Sequence, residues 1–245
     1  MAITETGTPV IGSAASGGSA TFDIAVTVPA DANICICCTI GYQNNADDDL
    51  ILDALNWINH ANRDDFEVLD NANWNTAGNC LEVYYMLSSD ANWPGSGSQT
   101  LSGGYADQLF YDSAVAIMFF KGIDMTTPFS GVVDKKEETS PLDNWTSSLS
   151  SVDAGDWALL FSESYGEDCV VDGSGETEII NGLGGGDGYY IAAAYEDGET
   201  AMTVSSAAYL VALAVVLQAA AAAAAGHDYL AAIIRQRSFD QLRRI

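Results

Sequence analysis

The sequence predicts an all-β chain: an antiparallel two-sheet β-sandwich, jelly-roll-like, with a short helical or extended C-terminal tail. Three observations carry this. Its apolar runs are short and rich in β-branched and aromatic residues, which suits strands better than helices. Clusters of Gly, Asn, Asp, Ser and Pro punctuate them at short intervals. Strand-like runs do not alternate with helical ones, as βαβ units would require.

Residues 1–19 are rich in Gly, Ser, Thr and Ala around Val10-Ile11 and read as an N-terminal arm, with an irregular edge strand as the alternative. Alternation begins at Phe22, Ile24, Val26 and Val28 and stops at Pro29. After the turn Pro29 to Asn33, the run Ile34 to Ile40 is apolar on both faces and is expected to be central. Asn44 to Asp49 is a polar turn, and Leu50 to Trp57 is open to a strand or a short helix. Phe66, Val68 and Cys80 to Leu87 resume the β pattern, and Ser88 to Thr100 reads as a turn-rich loop.

Ala114 to Phe120 is the clearest buried strand, broken by Lys121-Gly122 and closed by Pro128. A polar segment follows at Asp134 to Thr139, then strands at Trp145 to Leu149 and Trp157 to Ser162. Gly182 to Gly188 is a glycine loop, Tyr189 to Tyr195 a strand, and Met202 to Leu217 a last apolar run. The expected organisation is an arm (1–19), a sandwich (20–218), and an Ala-rich linker with a basic docking tail (219–245).

Eight Lys+Arg against 34 Asp+Glu give a net charge of -26, a poor match to nucleic acid. The charge is uneven: residues 1–225 hold 32 acids and four bases, whereas residues 226–245 hold four bases and two acids. Five cysteines, three of them within Cys35 to Cys38, make a poor disulfide framework and read as buried reduced thiols. The only histidines are His60 and His227, too few for a zinc site. The N-terminus shows no basic region followed by an apolar one, so no signal peptide is expected.

Catalytic signals are missing from the sequence. No GxSxG, HExxH or P-loop pattern occurs. Asp172 to Glu178 offers oxygens around glycines without the full calcium-loop order, and reads first as an acidic turn, as does Asp47-Asp48-Asp49. No pair among the acids is singled out for glycosidase chemistry. Trp57, Trp74, Trp93 and Trp145 are open to a sugar-stacking role or, the blander alternative, to core and loop packing. No catalytic residue, metal or cofactor is expected.

Several motifs resemble β-sandwich accessory proteins of tailed bacteriophages, of decoration, spike or fibre type. They are Val26-Thr27-Val28-Pro29, Asn33 to Cys37, Tyr84-Tyr85-Met86-Leu87, Trp93-Pro94-Gly95, Phe120 to Pro128, and Gly155-Asp156 before Trp157 to Leu160. A Tyr-Gly-Gly hairpin is not present around Leu50 to Trp57. The resemblance covers roughly residues 20–218 and implies a capsid or tail accessory role with no catalytic residues.

Residues 206–225 are nearly free of polar groups; a last strand to about Leu217 and a linker is preferred over a membrane anchor. Beyond Gly226, Tyr229, Leu230, Ile233, Ile234, Leu242 and Ile245 give a helix an apolar side, with Arg235, Arg237, Arg243 and Arg244 around it. This reads as a tail that docks on the acidic body of a neighbouring subunit or on another virion protein. The expectation is a virion structural protein made in the host cytoplasm: a capsid decoration or head-spike protein, or a tail accessory. Its partners would be copies of itself, a trimer being one option, and proteins such as the major capsid protein. A carbohydrate-binding adhesion module meeting a host-surface glycan is the alternative, and a β-sandwich hydrolase the third.

Overall fold

Antiparallel strands form two series of eight that repeat one pairing order. The structure is a computed structural model that describes residues 2–14, 21–42, 52–57, 66–73, 79–105, 113–136, 144–165, 167–171, 175–183, 189–206 and 209–221. The first series is β2 (Val10–Ala14), β3 (Thr21–Val28), β4 (Ile34–Tyr42), β5 (Leu52–Trp57), β6 (Glu67–Asn73), β7 (Asn79–Leu87), β8 (Gly97–Tyr105) and β9 (Ser113–Lys121). A short β1 (Thr4–Glu5) precedes it on the same β9 neighbour as β2. The second series is β10 (Phe129–Lys136), β11 (Asn144–Thr146), β12 (Trp157–Tyr165), β13 (Val170–Val171), β14 (Thr177–Leu183), β15 (Tyr189–Asp197), β16 (Thr203–Ser205) and β17 (Tyr209–Leu217).

In the first half the large sheet runs β2-β9-β4-β7-β6 and a small sheet runs β3-β8-β5. In the second half the orders are β10-β17-β12-β15-β14 and β11-β16-β13. Adding eight to each strand number converts one set into the other. Each half is a two-sheet jelly-roll-type unit of eight strands, so the sandwich expected within residues 20–218 is built twice.

The repeat extends to irregularities. Between Glu5 and Val10 the edge takes five steps while its partner takes three, from Phe120 to Ile117. Between Ser130 and Val133 it takes three steps against one, from Val216 to Val215. Both edges therefore carry two extra residues. Single-residue bulges also recur, at Val68/Asp70 in β6 and at Glu178/Ile180 in β14. All four outer strands of the large sheets are thus interrupted, which blunts them against pairing with another sheet.

Three apolar cores separate four layers. Phe22, Ile24, Val26 and Val28 of β3 meet Cys35, Cys37, Met86, Ile117 and Phe119 of the first large sheet. The other face of that sheet, with Ile34, Ile36, Cys38, Ala116, Met118 and Phe120, packs on Trp157, Leu159, Phe161, Leu213 and Val215 of the second. Behind the second large sheet, Ala158, Leu160, Ala212 and Ala214 meet Val204 of the small sheet together with Leu149 and Met202 next to it. Because the inner sheets are covered on both faces, their strands read as apolar runs without alternation.

Several sequence expectations change. Within the segment read as an N-terminal arm, Thr4–Glu5 and Val10–Ala14 form the β1/β2 edge, the alternative given for it, because Val10 to Ala14 pairs residue for residue with Ile117 to Ser113. Part of the loop expected at Ser88 to Thr100 belongs to β8, and β10 runs into the polar segment expected at Asp134 to Thr139. The acidic turn and glycine loop run into β14. The last apolar run divides at Ser206 into β16 and β17, which lie in different sheets. Leu50 to Trp57, left open between strand and helix, contains strand β5. Of these, β8 (GSQTLSGGY) and β14 (TEIINGL) are rich in small or polar residues, and pairing rather than propensity places them.

Two glycines are demanded by close approach. A Cβ on Gly103 would lie 2.1 Å from Phe22 Cζ, so the aromatic ring occupies the space of the missing side chain. Gly122 has φ +79, and its Cβ would lie 2.2 Å from the Ala2 carbonyl oxygen. The change Gly103→Ala should lower the unfolding free energy by about 1–3 kcal/mol through overpacking. Combining it with Phe22→Leu should restore part of that loss. Urea unfolding of the four chains checks it; strict additivity would show that the ring and the glycine do not share the space.

Candidate functional site

The feature that the structure builds with most residues is the seam between the two halves. One end is tied by backbone. Ile123 and Ala219 form an antiparallel bridge. Around it the Asp124 N–H donates to the Gln218 carbonyl at 2.9 Å, and the Ala220 N–H to the Gly122 carbonyl at 2.8 Å. Gly122 and Ala219 hold equivalent places, each two residues past the last paired position of its strand, Phe120 opposite Ile34 and Leu217 opposite Trp157. The bridge therefore joins nearly equivalent points of the two halves, one residue out of step.

Two side chains clamp this tie from equivalent positions. Asn33 precedes β4, and its Oδ1 accepts the Gly122 N–H at 2.8 Å. Asp156 precedes β12, and its Oδ1 accepts the Ala219 N–H at 2.7 Å while Oδ2 accepts the Asp153 N–H at 3.2 Å. Asp124 Oδ1 accepts the N–H groups of Thr126 and Thr127 at 2.7 and 3.1 Å, which holds its carboxyl below the usual range and shapes the connection between the halves. Lys121 pairs with Asp31 at 2.5 Å in the open, and the Asp31 carboxyl is lowered chiefly by that bond. An exposed pair of this kind contributes little to stability.

Aromatic packing covers the tied end. Phe120 of β9 meets Trp157 of β12 edge-on at 6.1 Å, and Trp157 stacks on Tyr195 at 3.7 Å. Tyr85 of β7 meets Phe129 of β10 at 5.0 Å. The two flanks of the seam differ in chemistry. Ile11 of β2 lies against Gly182 of β14, whereas the corresponding flank brings Lys135 of β10 to within 4.0 Å of Asp70 of β6.

Two buried carboxyls have opposite surroundings. Glu82 of β7 is fully buried, and its Oε2 accepts the Tyr84 hydroxyl at 2.8 Å and the Thr39 hydroxyl at 3.4 Å. Glu163 of β12 is 1% exposed, and neither oxygen has a hydrogen-bond partner. Burial alone pushes its carboxyl well above the ordinary range.

The sequence candidates fare as follows. The docking-tail residues Tyr229, Leu230, Ile233, Ile234, Arg235, Arg237, Leu242, Arg243, Arg244 and Ile245 lie outside the described residues, as do His60, His227, Trp74 and Asp47 to Asp49. Trp57 is 1% exposed, with its Nε1–H on Met86 Sδ at 3.3 Å and Phe66 at 5.9 Å. Trp93 meets Phe119 edge-on at 6.4 Å, and Trp145 packs against the third core. All three rings make packing contacts; Trp57 is buried, and Trp93 and Trp145 are half-buried. From the acidic turn, Glu176 Oε1 accepts the Thr203 N–H at 2.5 Å and Glu178 accepts from Asn181 at 3.1 Å. Both oxygens thus serve the ladder.

Cys35, Cys37, Cys38 and Cys169 are buried free thiols. Burial pushes Cys35 and Cys38 well up and Cys169 to about 11, so these three stay protonated at neutral pH and are poor nucleophiles. Among the described residues no group of three or more His, Cys, Asp or Glu could hold a metal, and no helix is long and apolar enough to cross a membrane. Of the seam residues, Asn33 and Asp156 stand in the sequence as turn residues before apolar strands, with no clamping role read from them, and Glu163 carries no sequence signal. No protein-family model, curated protein or solved structure matches the chain.

The clamps predict a measurable cost. Asn33→Ala and Asp156→Ala each leave a backbone N–H without its acceptor and should lower the unfolding free energy by about 1–3 kcal/mol. Asp156→Asn keeps an acceptor and should cost less. Urea midpoints at unchanged slope test this; alanine variants as stable as the native chain would remove the clamps from the account.

Proposed function

We propose that this chain is a non-enzymatic structural protein of a bacteriophage particle, at the capsid surface or as a tail accessory. The observation that supports it most is the duplicated jelly-roll unit, an architecture that recurs in viral capsid and lectin domains. Two like units joined back to back give one chain two similar outer sheets to offer to neighbours, which suits a subunit that tiles a surface. The interrupted edges direct assembly away from strand addition, toward sheet faces, loops and the terminal segment.

On this reading the basic segment 226–245 attaches the acidic body to a neighbouring copy or to another virion protein such as the major capsid protein, and the chain works as a homo-oligomer. Carbohydrate binding is the second reading, because jelly rolls also serve as lectins. The inward packing of Trp57 and Trp93 counts against it.

The test is the mass in solution of the full chain and of a chain ending at Gly226. An oligomeric full chain and a folded monomeric truncation are expected. Two equally stable monomers would remove the tail from assembly. Glycan-array binding lost on Trp93→Ala would then favour the adhesion reading.

A further inference from the structure

The two halves share a fold but not a residue at one buried position of the seam. β12 and β4 are equivalent strands: Trp157 and Ile34 each face the last paired residue of the following sheet neighbour, Leu217 and Phe120. Counting along them, Glu163 occupies the place of Ile40, which is fully buried in the same core. Trp157, Leu159 and Phe161 of β12 point into the seam, so by strand alternation Glu163 does too. Its cross-strand neighbours, Ile191 of β15 and Val211 of β17, are also seam residues. An isoleucine site has thus been given a carboxyl and nothing to bond it, an arrangement that disfavours its charged form.

The groups around it do not compensate. On the other side of the seam, Cys38 of β4 lies in the same core, and its thiol is pushed up first by burial and next by the Glu163 carboxylate. Cys169, behind β12, is pushed up by burial, with a smaller contribution from the same carboxylate. Glu82, on β7 of the facing sheet, also contributes to raising the Cys38 thiol, and its oxygen is taken by Tyr84. Among the described residues no cation offsets Glu163, and burial is the one cause of its shift.

Position then decides the consequence. Glu163 lies six residues along β12 from Trp157, about 20 Å at the rise of a strand. The backbone bridge and the aromatic contacts hold the Trp157 end, while at the Glu163 end the described residues meet through side-chain packing. We propose that Glu163 is a proton-operated latch: the two halves close over it as the neutral acid, and its ionisation opens that end of the seam while the bridge holds the other.

The sign follows from linkage. A seam that binds the proton more tightly than the open form is most stable below the ordinary value of 4.5. It loses stability as pH rises from there toward the raised value of the closed form. Within that window each pH unit shifts the balance toward the open form about tenfold.

The test labels Cys38 with a small thiol reagent and maps the modified peptide, at pH 6 and pH 8, in the full native chain, Glu163→Gln and Glu163→Ile. The reagent reacts with the open form, where Cys38 is solvated and the rise of thiolate with pH is common to all three. The native rate relative to either variant should climb more than twofold between the two pH values. A ratio constant within twofold would overturn the latch. Should Glu163→Ile not fold, the near-isosteric Glu163→Gln carries the comparison. Infrared spectroscopy gives an independent check: a carboxylic-acid band present at pH 6 in the native chain and lost in Glu163→Gln is expected, and its absence from the native chain would overturn the proposal.

Discussion

The constraint on which this molecule depends is the burial of both faces of two large sheets. A sheet covered on one side can alternate apolar and polar residues, whereas Ile34 to Ile40, Ala114 to Phe120 and Leu210 to Leu217 must satisfy apolar walls in both directions. Each buried residue removes area from water at about 25 cal/mol per Å². The central core joins the halves through the same strands that form each half's own core. Separating the halves would expose Trp157, Phe161, Phe120 and Met118 together, so the halves are expected to behave as one cooperative body.

Within that constraint, polar groups sit where the backbone needs them. Asn33 and Asp156 occupy equivalent turns and take equivalent N–H groups. One residue is neutral and the other is a carboxylate, which shows that the position selects for an acceptor rather than a charge. Glu82 is buried among hydroxyl donors, and Glu163 among hydrocarbon and thiols. The same residue type is a satisfied network member in one half and a source of tension in the other.

Duplication with divergence explains why chemistry concentrates at the seam. The strand order, the interrupted edges and the bulges are retained in both halves, because they follow from packing one sheet over another. Side chains along the seam have no such requirement to match. Ile11 lies on one flank and Lys135 on the other, and Ile40 is matched by Glu163. These differences make the two halves complementary rather than interchangeable.

The sequence by itself determined the all-β class and the strongest strands, because runs such as Val26 to Val28, Cys35 to Cys38, Ala114 to Phe120 and Trp157 to Phe161 have β-branched or aromatic content that few other structures accommodate. It also placed the breaks at Pro29, Gly122 and Gly155-Asp156, where backbone chemistry is local. Strands such as β8, β10 and β14 were hidden, since Gly103, Ser130 or Asn181 becomes a strand residue only when a neighbour supplies the ladder. The doubling was hidden too, because equivalent positions such as Ile40 and Glu163 share geometry without sharing chemistry. Only the tertiary structure decided which carboxyl would be hydrogen-bonded and which stranded, since burial is a property of what packs opposite and not of the residue itself.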